Sequence, residues 1–387
     1  RLGLTGAALA TATAFVLRNL VRVGLLYRID RVHSFTRAVL APFALTGPLA
    51  FFVMCLMPAS ALAQPADARD VTNRAPDFQE ITPGLRQSVD RGLAYLADQQ
   101  AGDGSYGGDR FGRHVGITAL ACLAFMADVN LPGRGKYGEE VDRGLQFILA
   151  SASESGLIAA DTSHGPMYGH GFATLFLGEV YGMTRDPRLR EVLLKAVRLI
   201  VRTQNDEGGW RYQPVPVNAD ISVTICQVMA LRSARNAGLH VPKQTIERAI
   251  QYVRQCQNQS DGGFRYMLSG GGSAFPRSAA GVAALYYAGV YEGQALEDGL
   301  GYLMRAGTDP GGRADHYYYY GHYYAAQAMF LAGGDYWRKW FPDIRKAMIN
   351  RQAGDGHWES NYGNDYGTAM ALLVLQMPNR LLPIFQR

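Results

Sequence analysis

Tyr-Gly-His occurs twice in this chain, at 168–170 and 320–322. The second copy lies in a run, His316 to Tyr324, that puts six tyrosines and two histidines into nine positions. Imidazoles titrate near neutrality, so His170 and His322 are candidate proton donors and acceptors. Tyrosine faces stack on sugars and stabilise cations, which makes Tyr168 and Tyr320 candidate ligand contacts. Asp220 and Asp365 each stand at the start of an apolar stretch. A carboxylate there suits a helix cap as well as it suits a base or a ligand. The helix dipole and free N–H groups at such a start favour the ionised form, so Asp220 is expected to orient or bind rather than to act as a strong acid. Arg277 and His114, the latter following Arg113, complete the candidate ligand-binding set. No spacing demands a metal and no cofactor signature is present, so neither is expected.

These residues need elements to position them, and a recurring phrase indicates which. Gly104, Gly156, Gly208, Gly262, a glycine near 311 and Gly356 repeat at a period near 50. Such a period marks a repeat architecture. Each glycine phrase follows an amphipathic segment with apolar residues at i, i+3, i+4 and i+7, as in "TIERAIQYVRQCQ". Each precedes a segment that is apolar on nearly every side, as in "GITALACLAFMA", and such a helix is buried on every side. The expected fold is all-α: an α/α toroid, or α/α barrel, of about six helical hairpins with an outer and an inner ring. A linear helical solenoid is the structural alternative. In the ring, the starts of the six inner helices converge on one mouth. Tyr-Gly-His recurs three units on, as does Asp, which places like residues opposite one another. Residues 316–324 form one lip. The competing account of each group is plain: Asp220 and Asp365 as caps, the histidines as satisfied boundary residues, and some tyrosines as packing.

Charge and leader bound the rest. The net charge of +5 is misleading, because residues 1–63 carry six arginines and one acid while the remainder has 32 basic and 32 acidic residues. A neutral body without a basic cluster argues against a nucleic-acid partner. Arg28, Arg31 and Arg37 precede an apolar run from Ala38 to Leu56, and Ala61-Leu62-Ala63 forms an A-x-A site. Export to the periplasm or medium with cleavage after Ala63 is expected, or membrane anchoring by residues 38–58 if the leader is retained, and the leader is also a candidate for contact with a membrane surface. The expected division is 1–63 leader, 64–83 linker, 84–377 repeat domain and 378–387 tail. Cys122, Cys226 and Cys256 lie in apolar helical contexts and suggest no disulfide framework.

The glycine phrases resemble the QW motif of the squalene-cyclase and protein-prenyltransferase repeat superfamily. The residues that carry the resemblance are Arg91-Gly92, Tyr95-Leu96, Gln100, Gly104 and Tyr106; Lys195-Ala196, Leu199-Ile200, Gln204, Gly208 and Trp210; Arg248-Ala249, Tyr252-Val253, Gln257, Gly262 and Phe264; and Gln352, Gly356 and Trp358. The resemblance implies the toroid and gives those residues an architectural role. It transfers activity less readily, since sites grafted on a fold decide function. Squalene–hopene cyclases protonate an alkene with the middle Asp of D-x-D-D-T. The matching stretch here is Asp220-Ile221-Ser222-Val223-Thr224, with Ser222 at the protonating position. Prenyltransferase zinc sites use D-x-C and thioester proteins of this fold use C-G-E-Q; both are absent.

Three functions remain open: an enzyme on isoprenoid or other hydrophobic substrates with a divergent catalytic set, a non-catalytic binding or scaffold protein, and a carbohydrate-active enzyme. A lipid-lined cavity favours the first, a filled centre the second, and two carboxylates across a groove the third.

Overall fold

The computed structural model describes residues 80–160, 165–309 and 316–386. The expected leader and nearly all of the linker lie outside the described residues. Among those described there are twelve helices of twelve residues or more and no strand, only isolated bridges. None of these helices is long and apolar enough to cross a membrane.

The helices alternate between two rings. The outer ones are α1 (Pro83–Gln99), α3 (Gly138–Ala150), α5 (Pro187–Arg202), α7 (Lys243–Cys256), α9 (Gln294–Ala306) and α11 (Gly334–Arg351). The inner ones are α2 (Val115–Met126), α4 (Met167–Thr184), α6 (Ile221–Asn236), α8 (Phe275–Ala288), α10 (Tyr318–Ala332) and α12 (Asn364–Leu375). Outer helices bury one stripe; in α3 that stripe includes Val141, Leu145 and Ile148. Inner helices have no solvent face, and every residue of α2 is buried. Each inner helix packs on its two neighbours and α12 packs back on α2. That closure makes a toroid of six hairpins and rules out the linear solenoid.

The glycine phrases stitch the units together. Gly208 has φ +99°, and a Cβ there would lie 2.3 Å from the carbonyl oxygen of Arg248 in the next outer helix. Only glycine allows both the left-handed turn and that approach. The preceding glutamine locks the same junction: Gln204 Nε2 donates to Gly208 O at 2.8 Å and to Thr245 O at 2.9 Å. Gln352 does likewise with Gly356 O and, across the closing seam, with Ser88 O in α1 at 2.9 Å.

The two ends of the ring differ. Beyond the first turns of the inner helices the side chains are closely packed, with Phe176, Tyr323 and Tyr324 fully buried. The chain end also packs there: Ile384 and Phe385 are buried, and Ile384 N–H donates to the buried carboxylate of Glu179 at 2.9 Å. The N-terminal ends surround open space.

Candidate functional site

A cavity of about 1210 Å³ opens at the N-terminal ends of the inner helices. All six inner helices contribute to it, through Gly116, Tyr168, Ser222, Phe275, Tyr320 and Tyr366 among others. Eleven of its lining residues are phenylalanine or tyrosine, and none of the described lining residues is Asp or Glu. Four expected ligand contacts stand on this wall: His114, Tyr168, Arg277 and Tyr320.

His170 and His322 do not. His170 is fully buried behind the wall, and its Nδ1 accepts the N–H of Ile158 at 3.1 Å. In four other units a hydroxyl holds this place. Thr118, Thr224, Ser278 and Thr368 accept the backbone N–H of Tyr106, Trp210, Phe264 and Trp358 at 2.8 to 3.1 Å. His170 is the second unit's version of that peg. His322 is equally buried, with Nδ1 2.8 Å from the carbonyl oxygen of Tyr318 and its ring among Tyr318, Phe275 and Trp340. Burial lowers both imidazoles from 6.5 to about 4, so both are neutral at physiological pH. The expectation of two cavity-facing proton donors near neutrality is therefore corrected.

Asp220 does cap α6, its Oδ1 accepting from Val223 N–H at 2.9 Å. It is fully buried and meets the cavity only indirectly. Ser222 Oγ donates to the same Oδ1 at 2.6 Å, and Tyr168 Oη lies 2.6 Å from Ser222 Oγ. With the serine proton committed to the carboxylate, the tyrosine is the donor to Ser222. The result is a chain of hydroxyls from a buried acid to the wall. Tyr320 Oη donates to the backbone carbonyl of Ser222 at 3.1 Å. Arg211 Nε stands 3.6 Å from Asp220 Oδ2, and Tyr266 is adjacent, its hydroxyl bonded to that of Tyr212. Burial pushes the Asp220 carboxyl above its usual range. The bonds from Ser222, Val223 and Tyr266 and the charge of Arg211 oppose this and do not overcome it. The expectation that the helix start favours the ionised form is corrected on this point: desolvation outweighs it.

Asp365 is the second residue of α12, not its cap, and accepts the N–H of Gly107 at 3.2 Å. Burial raises its pKa too. It ties the last inner helix to the first unit and does not line the cavity. His114 caps α2 with Nδ1, accepting from Gly116 and Ile117 N–H at 3.1 and 3.3 Å. Among the described residues no group of three or more histidine, cysteine or acidic side chains is placed to hold a metal ion. Cys122, Cys226 and Cys256 are buried and unpaired.

Sequence reasoning noted Ser222 only as a missing acid, and it passed over Tyr212 and Tyr266. Each of these tyrosines lies two residues after a motif aromatic, Trp210 or Phe264, and that shared spacing was the available signal.

The fold and wall together define an α/α toroid with an aromatic mouth. No family model and no curated protein matches the chain. Solved structures do match in fold. An α-1,6-mannanase of a Salegentibacter species, an inactive variant in complex with α-1,6-mannotriose, aligns with a TM-score of 0.61 at 10% identity, covering 77% of this chain and 99% of that one. The type II terpene cyclase MstE from Scytonema, in complex with its substrate geranylgeranyl dihydroxybenzoate, aligns with 0.54 at 12%, covering 79% and 99%. An α-mannanase from Bacteroides thetaiotaomicron aligns with 0.57 at 12%, covering 79% and 98%. The chain thus shares its toroid with terpene cyclases and mannanases.

Proposed function

We propose that this protein encloses an isoprenoid or other hydrophobic ligand in the mouth of the ring. The observation that carries the reading is the wall itself: about 1210 Å³ lined by eleven aromatic residues, with no carboxylate among the described lining residues. Ligand pockets usually measure roughly 300–1,000 Å³ and are mostly apolar with a few placed polar groups. This one is large enough for an extended chain, and Tyr168 and Ser222 supply a polar corner. Two of the three solved structures named above hold a ligand on this fold, one hydrophobic and one an oligosaccharide. Glycoside hydrolysis needs two carboxylates flanking the scissile bond, which the described wall does not offer. Aromatic faces suit a hydrophobic chain and any cation formed on it.

Alkene protonation in the manner of squalene cyclases is not part of the proposal. Ser222 occupies the acid's position and its proton is held by Asp220. We also propose export of the chain, supported by the leader's arginines, apolar run and A-x-A site. Mass spectrometry of organic extracts from the purified protein tests the ligand. A stoichiometric hydrophobic compound is expected, and a retained oligosaccharide in its place would overturn the reading. N-terminal sequencing of native protein tests the export.

A further inference from the structure

Among the described residues, Arg277 is the charged group on the cavity wall that lacks a counterion, and we infer from it that the ligand is an amphiphile with a single carboxylate. The inference rests on the hydrophobic-ligand reading and narrows it. Two arginines stand at inner-helix starts. Arg113 is neutralised, its Nε 2.7 Å from Asp103 Oδ2. Arg277, on the third residue of α8, lines the cavity with its Nε buried and without a hydrogen-bond partner. A guanidinium keeps its charge at any physiological pH. Arg277 is half-buried, so its charge is poorly solvated where Nε meets the aromatic wall and is left without a partner there. An anion seated on it supplies that partner. The start of α8 at Ala274 has no side-chain cap, as is also true of α4, α10 and α12, so its helix end adds to the same sign beside Arg277.

The other groups set the valence. His114 accepts two N–H bonds at Nδ1, which an imidazolium could not do. Arg211 is matched by Asp220. His316 is exposed at the rim. Among the described residues, one uncompensated positive charge then matches one carboxylate, whose two oxygens fit the guanidinium fork. A diphosphate would bring more negative charge than one guanidinium balances, and the surplus would be desolvated among rings.

The test is calorimetric titration of the full chain with geranylgeranoic acid, geranylgeraniol and geranylgeranyl diphosphate, repeated on Arg277→Gln and Arg277→Lys. The acid is expected to bind about 10- to 100-fold more tightly than the alcohol. Arg277→Gln should bring the acid to the alcohol's level and leave the alcohol unchanged, which also shows that the variant is folded. Arg277→Lys should recover part of the difference. Equal affinity for acid and alcohol in the wild type, or tighter binding of the diphosphate than of the acid, overturns the inference and leaves the hydrophobic-cavity reading standing. Binding of none of the three overturns both.

Discussion

Tyr168 and His170 are two residues apart on α4 and belong to different parts of the molecule. With 3.6 residues per turn, two steps carry a side chain about 200° around the axis. Tyr168 therefore faces the cavity, where its hydroxyl meets Ser222, and His170 faces the loop at Ile158. On α10, Tyr320 reaches the carbonyl of Ser222 while His322 sits behind Phe275. The comparison separates two tasks within one tripeptide. The tyrosines furnish the binding wall. His170 replaces the hydroxyl that four other units use to hold the adjoining loop, and His322 packs behind the wall against Tyr318, Phe275 and Trp340.

If both histidines are buried supports, acid should strike stability first. Each has a folded pKa near 4, below the unfolded 6.5. The unfolded chain therefore binds the proton first, and stability that is full above about 6.5 is lost as pH falls toward 4. The gap corresponds to about 3 kcal/mol per histidine. Glu179 works in the opposite sense. Burial raises its carboxyl from 4.5 to about 7, so its contribution is full below 4.5 and lost as pH rises through 7. Denaturant melts at pH 7 and pH 4 should show a net loss at the lower pH, and His170→Thr should remove about half of the histidine share. A stability flat across that interval would break the comparison.

Next in size is His170→Ala. It orphans the Ile158 N–H and opens a cavity, and should cost about 2–4 kcal/mol at pH 7. His170→Thr should recover part of that, because threonine serves this role at Thr118 and Thr224. Neither change should alter hydrophobic-ligand affinity in the folded protein, which a titration of each variant checks.

The smallest effects on stability belong to the cavity corner. Tyr168→Phe removes one hydroxyl and should cost about 1 kcal/mol or less; Asp220→Asn keeps an acceptor for the α6 cap but takes the carboxylate from Arg211, and should cost about 1–3 kcal/mol. Their effect should also appear in binding. Tyr168→Phe is expected to shift the affinity of a ligand with a polar end by about 3- to 10-fold. A larger binding effect from His170→Thr than from Tyr168→Phe would reverse the assignment of the two residues.

The fold was legible because the glycine period marks a helical repeat and the all-apolar second helices favour a ring over a solenoid, and α12 closes on α2 as a ring requires. The mouth was legible to one end but not to one face. A residue's place at a helix start says which rim it occupies, and only the helical period says whether it points in. Applied to Tyr168 and His170, that period would have sent the histidine outward. Asp220 shows a second limit. Its cap and dipole were readable, but the full burial that raises its pKa, against the opposing pull of Arg211 and Tyr266, is visible only in three dimensions. Arg277 stood out as a basic helix start in sequence, but its lack of a partner is visible only in three dimensions.

The proposed ligand sits against the aromatic mouth and not in the layer behind it that holds His170 and His322. Photolabelling with a diazirine-bearing geranylgeranyl probe, followed by peptide mapping, tests this placement most directly. Labels are expected at the first turns of the inner helices, at Tyr168, Phe275, Tyr320 and Tyr366, and should vanish with excess unlabelled geranylgeraniol. Labelling confined to the outer helices, or labelling that excess geranylgeraniol leaves untouched, would contradict the account.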